Sequence, residues 1–345
     1  MRRSFVFALV TLFIWTSMSR AQGTASYAPL KEIPIGGPGG GDYLSIDPEA
    51  HRLYVSHSTR VIVIDTEHDR VVGEIADTPG VHGVAIAADL GRGFSTNGRE
   101  DTVSIIDLKT LKTLQKVPTG ATPDAVLYDP STQEVYSMNG RGQSATVINA
   151  RSGEVVATIP LGGKPESAAV DTGTHRVFIN IEDKNSIAVV DTGTHTVVAN
   201  WAIAPGEEAT GMAFDASTHR LFVGCRNRLM LMLDSTNGQL VSKVSAGDGV
   251  DATWFDPATK LAFSSAREGV VTIASVTANA MTTVQTLKTF PGARTMALDP
   301  RTHKIYLSTA TYAPSASAAT GVNGTPPRPE AVPETFRVLV FGPGK

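Results

Sequence analysis

A pattern of about forty residues recurs seven times along this chain. "DYLSIDPEAHRLYVS" returns as "ESAAVDTGTHRVFIN", "TGMAFDASTHRLFVG", "DATWFDPATKLAFSS" and "RTMALDPRTHKIYLS", with "HGVAIAADLGRGFST" and "DAVLYDPSTQEVYSM" as weaker copies. With Asp42, His82, Asp124, Glu166, Thr210, Asp251 and Arg294 as equivalent first positions, the steps are 40, 42, 42, 44, 41 and 43 residues. Each unit holds four β-branched or aromatic runs divided by turn residues; in the second these are "HGVAIA", "RGFST", "TVSIID" and "LQKVPTG". A unit this short cannot cover its own apolar faces, so the copies must pack on one another.

Four short antiparallel strands per unit at this spacing predict an all-β fold, a seven-bladed β-propeller with four-stranded blades. Small residues hold the second and fourth places of the first strand (Gly83 and Ala85, Ser167 and Ala169, Gly211 and Ala213), and larger ones the third and fifth, with Trp254 the exception noted. Strand alternation sends the two sets toward opposite neighbours. The seventh unit contributes "RTMALD", "KIYLS" and "FRVLVFG", and its fourth strand is supplied by "LKEIPIGG", Leu30 to Gly37, which is similar to the "VVATIPLGGKP" ending the third unit. The N-terminal strand thus closes the ring and removes two sheet edges. "GGPGGGD" then reads as the crossing into the first blade, in register with "GATPD" and "GGKPE"; no GK[ST] or helical pattern follows to make it a phosphate loop.

The third strands "DTVSIIDLKTLKTL" and "NSIAVVDTGTHTVV", with "YVSH", "FSTN", "YSMN" and "FINI" in place of a YVTN tetrad, give the chain a resemblance to the exported seven-bladed YVTN-repeat propellers, the YncE-like family. The resemblance covers essentially everything from residue 22 onward. It implies a propeller with a binding or surface-associated role, and lactonase-like propellers are its catalytic cousins. No catalytic motif carries over residue by residue.

Arg2 and Arg3, the apolar run Phe5 to Trp15 and the small residues Ser19 and Ala21 read as a secretory signal peptide over residues 1–21, with cleavage after Ala21. The mature chain, 22–345, is expected in the periplasm or outside the cell, as a monomer without a membrane anchor. Cys225 is the sole cysteine, which excludes an internal disulfide framework and a CxxCH haem site. A net charge of −3 supplies no global attraction for nucleic acid, and the loop arginines give only a partial basic set beside an acidic inner ring, with few aromatics beyond Tyr312.

In a propeller, the starts of the inner strands and the loops from second to third strand share one face. His51, His175, His219 and His303 fall in first-to-second turns and His68 and His195 in third-to-fourth turns, all on the opposite face, where structural roles are expected. The functional face is expected to carry an inner ring of Asp42, His82, Asp124, Glu166, Asp251 and Arg294 at the channel mouth, with Thr210 its neutral member. Outer loops add His57, Arg99, Arg141, Arg226 and Arg267, with Glu100, Asp183, Arg228 and Glu268 beside them. With His82 neutral, acids outnumber cations in this ring. The expected partner is therefore a cation or a small, hydroxyl-rich polar ligand, or else an exported protein, with binding weakened as His82 protonates near pH ~6.5.

No cofactor is implied; a divalent cation held by His57, His82 and Asp42 is the weaker alternative, since no HExxH or other tight ligand spacing occurs. No GxSxG supports a nucleophilic serine. The chief reading is a binding scaffold. Its rival is a lactonase-like or isomerase-like enzyme, which requires an inner carboxylate of strongly perturbed pKa beside a closed pocket. Thr309 to Thr335, 27 residues rich in Ala, Pro, Thr and Ser, reads as a structureless loop on the same face.

Overall fold

A computed structural model describes residues 26–313 and 330–344. The signal-peptide expectation lies outside the described residues. Seven four-stranded antiparallel sheets form, each running in chain order from inner to outer strand, except the last. That sheet joins Met296–Leu298, Ile305–Thr309 and Arg337–Pro343 to the N-terminal Tyr27–Pro34, so the ring closes as the sequence predicts. Ile33 pairs with Val338 and Pro34 with Arg337, and the ladder slips by one residue between Pro29 and Lys31. Tyr27 anchors the far end: its hydroxyl donates to the His303 carbonyl at 2.8 Å, and Gln285 of the sixth blade accepts its amide and donates to its carbonyl, each at 2.8 Å. Among the described residues no helix is long and apolar enough to cross a membrane.

The recurring turn has a physical explanation. Its aspartate accepts backbone amides two or three residues on, as Asp171 does from Gly173 and Thr174, while Asp171, Asp215, Asp256 and Asp299 also accept the threonine hydroxyl. The next residue, after threonine in three copies and after Ala50 in the first, turns the chain with positive φ: His51 53°, His175 56°, His219 54° and His303 58°. Histidine tolerates this left-handed region better than β-branched residues do. His303 Nδ1 also meets Asp256 of the preceding blade at 2.6 Å. These histidines shape turns, as expected.

Blades are joined around the axis by side chains donating to the next blade's backbone. Ser56 reaches the His82 carbonyl at 2.7 Å, Asn180 that of Gly211 at 3.1 Å, Thr210 that of Val250 at 2.7 Å, and Thr295 that of Asp42 at 2.7 Å. The second and third strands, buried on both faces, supply the apolar packing between blades. One such cluster sets Ile33 and Val338 of the closing blade against Leu44, Val55 and Ile62 of the first. Trp254, the exception to the small-residue rule, donates its indole N–H to the Met296 carbonyl at 2.6 Å and spans two blades.

The glycine-rich crossing is architecture. Gly36, Gly37 and Gly39 have φ of 73°, 85° and 89°, a left-handed path that other residues resist. Glu334 clamps it, accepting the Gly37 amide at 3.0 Å and donating its own amide to the Gly37 carbonyl at 3.1 Å. Tyr312 bridges Ala331, so both described ends of the 309–335 segment are tied to the mouth; the rest of that expected loop, residues 314–329, lies outside the described residues. Ile33 is buried at the closing seam, and Ile33→Ala should cost about 2–5 kcal/mol. Urea denaturation would measure this; an unchanged midpoint would mean that the seam carries no stability.

Candidate functional site

The inner-ring residues occupy equivalent places. Asp42, His82, Asp124, Glu166, Thr210 and Asp251 are each the second residue of an inner strand, and Arg294 lies two residues before its short inner strand, Met296–Leu298. His82 Nδ1 donates to Asp42 Oδ2 at 2.7 Å and lies 3.5 Å from Asp124 Oδ1. Arg294 reaches Asp42 Oδ1 at 3.2 Å on one side and hydrogen-bonds Asp251 on the other. Thr210 is buried on the next blade's backbone. Five of the ring residues therefore form one arc of alternating charge.

The opposite arc contains residues that the sequence reading missed. Lys164, in the "GGKPE" crossing, donates to Glu166 Oε1 at 2.6 Å and also to Glu182, which in turn pairs with Arg226. Tyr43 crosses the channel from the first blade and donates its hydroxyl to Glu166 Oε2 at 3.2 Å. A signal for Tyr43 was present: the other blades carry Gly83, Ala125, Ser167, Gly211, Ala252 and Thr295 at its position. One tyrosine among small residues fills the axis. For Lys164 and Glu182 no repeat position gave warning, because both lie on crossings and loops.

Burial and proximity set the protonation states. Glu166 and Asp251 are each only 5% exposed. Burial pushes the Glu166 carboxyl well above the usual range, the Asp124 charge adds to this, and Lys164 opposes it. Burial also raises Asp124 and Asp251, against the pull of His82 and of Arg294 respectively. For His82, burial works downward but is outweighed by the hydrogen bond to Asp42 and the charges of Asp124, Asp42 and Glu166, which carry it up to about 9. His82 is therefore an imidazolium at neutral pH. The expected switch near pH 6.5 is overturned, and the excess of acid in the ring narrows: the cations His82 and Arg294 face Asp42, Asp124 and Asp251, while Glu166 resists ionising and is met by Lys164.

The outer residues divide. His57 is 1% exposed, stacks on Phe336 at 4.1 Å and contacts the Gly40 carbonyl at 3.2 Å through Nδ1, so it braces the crossing and is no partner of His82. Arg226 is engaged by Glu182 and lies 3.8 Å from Glu208. Arg267 borders a mouth-face cavity of about 500 Å3 with Arg226, Glu208 and Glu268. Arg99 and Arg141 are exposed and border a cavity of about 820 Å3 with Asp42, His82, Asp101 and Thr122. Below the ring a separate channel cavity of about 410 Å3 is lined by Tyr43, Met212, Phe214, Trp254 and Asp251. The two share no lining residue, so the charge ring and Tyr43 divide the axis.

Asp42, His82 and Asp124 place potential ligand atoms within 4.8 Å of one another, whereas the expected trio with His57 does not form. The proton on His82 already supplies positive charge there. Cys225 is buried and its thiol is pushed up to about 12 by burial, which makes it an inert core group.

Comparison with known proteins locates the fold. No family model matches the chain, and no curated protein matches it. A chain in the crystal structure of a mitotic checkpoint complex superposes with a TM-score of 0.72 at 15% identity, covering 89% of this chain and 95% of that one. A chain of hydrazine synthase from Kuenenia stuttgartiensis gives 0.69 at 16%, covering 83% and 95%.

His82 binds a proton between its ordinary value of 6.5 and about 9 only when folded, so its contribution to stability is complete below that window and is lost as pH rises through it. The melting temperature should fall from pH 6.5 to 9 and fall less steeply in His82→Gln. Identical slopes in the two proteins would contradict the imidazolium assignment.

Proposed function

We propose that this protein is an exported propeller of the YVTN-repeat, YncE-like kind that serves as a binding scaffold, receiving a polar small molecule or an exported partner on its mouth face. One observation carries this reading. The central ring pairs its own charges and divides the channel, while the guanidinium groups of Arg99 and Arg141, without partners among the described residues, border an open cavity of about 820 Å3 beside it. That volume lies in the range of small-molecule sites.

The enzyme reading, lactonase-like or isomerase-like, draws support from the raised carboxyls of Glu166 and Asp124, since displaced acids mark proton-transfer sites. Neither residue lines either of the two axial cavities; Asp251, also raised by burial, lines the lower one, where Arg294 pairs with it. The structural neighbours share the fold and leave the choice to the face itself.

A panel of carboxylates, phosphates, polyols and divalent cations tests the scaffold by thermal shift. Ala121 is exposed at the cavity wall, so Ala121→Trp should abolish the shift given by any ligand that stabilises the parent. The pair His175→Asn and His219→Asn, at turns on the opposite face, should keep it. The converse pattern would place recognition on the wrong side of the ring.

A further inference from the structure

We infer that the mouth cavity above the first three blades is an oxyanion site, built for a small hydroxylated carboxylate or phosphate held by Arg99 and Arg141. The inference rests on the mouth-face reading and adds the chemistry of the ligand. Arg99 and Arg141 come from equivalent loops of adjacent blades, between Arg92–Asn97 and Thr102–Asp107 and between Glu134–Asn139 and Ser144–Asn149. Both border the one cavity, and neither guanidinium has a hydrogen-bonding or ionic partner among the described residues.

Elsewhere on this face the corresponding cations are already engaged. Arg228 is 3.1 Å from Asp248, Lys184 is 3.5 Å from Asp183, and Arg226 pairs with Glu182. Uncompensated positive charge is thus concentrated where the space is. A planar guanidinium presents a fork of donors that matches a carboxylate or phosphate edge, and two of them suit a ligand with more than one acidic oxygen pair.

The floor adds a third donor. His82 spends Nδ1 on Asp42, while Nε2 has no partner among the described residues. The ring can lie here because residue 98 is glycine: a Cβ at that position would sit 2.8 Å from Nε2. The acids bordering the cavity only partly offset these donors, with Asp101 setting one carboxylate against two guanidinium groups. Asp42 is held between His82 and Arg294, and Asp101 Oδ1 accepts the Thr122 amide at 2.7 Å. Asp101 Oδ2, with the Ser58 and Thr122 hydroxyls, is suited to a ligand's hydroxyl groups, which is why a hydroxylated anion fits better than a bare one.

Isothermal titration of the full mature chain with citrate, tartrate and inorganic phosphate tests the site. Citrate or tartrate should bind, and Arg99→Ala with Arg141→Ala should weaken it at least about tenfold. Both side chains are exposed, so the variant's melting temperature should match the parent's. Arg228→Ala, which removes a cation already paired outside the cavity, should leave affinity within about twofold. Tighter binding of phosphate than of either carboxylate would identify a phosphate-bearing ligand. Failure of all three anions to bind at millimolar concentration overturns the inference, as does equal affinity in the double variant. In the latter case Ala121→Trp separates the two readings: loss of citrate binding there keeps the mouth face and rejects the arginines, while retention rejects both.

Discussion

The ladder between Tyr27–Pro34 and Arg337–Pro343 is the contact on which the rest of the ring depends. Seven blades packed in a circle have no stable arrangement with a gap, because an open ring would expose an unpaired strand edge and strip one neighbour from each flanking blade. Closing the last blade with the first strand makes the ends of the sequence hold each other. The same seam positions the mouth. The Glu334 clamp and the stacked pair His57 and Phe336 fix the glycine crossing, and that crossing delivers Asp42 to the axis.

Cyclic repetition then decides the electrostatics. Second positions of consecutive inner strands lie side by side around a narrow axis, and ionisable residues there have little water to share. Charge of one sign would be costly under those conditions. The observed solution alternates Asp124, His82, Asp42, Arg294 and Asp251, and brings in Lys164 and Tyr43 to satisfy Glu166. Such a ring works as a septum, and this moves the open chemistry outward to the loops. Arg99 and Arg141 acquire significance by contrast, as cations without partners among the described residues on a face where others have them.

Much of this was legible in the order of residues. The repeat spacing determined seven blades, the likeness of "LKEIPIGG" to "VVATIPLGGKP" determined how the ring closes, and the turn pattern determined which histidines shape corners. These are local or periodic properties: strand alternation, turn chemistry and strand pairing follow from neighbours along the chain. The identity of the ring residues followed too, since equivalent positions in a cyclic repeat must meet at the axis.

What only the tertiary structure decided was the state of those residues. Sequence places Asp42 and His82 on one ring, yet whether His82 is neutral depends on distances to Asp42, Asp124 and Glu166 from other blades. It places His57 on the mouth face, yet its burial under the crossing depends on Phe336, nearly three hundred positions away. Lys164 and Glu182 meet through loop geometry that no repeat position encodes. Protonation and pairing are set by separations of a few ångströms between residues distant in the chain, and Coulomb energy in a poorly solvated axis changes steeply over such separations. Fold class averages over many such contacts, whereas the character of the site depends on each one.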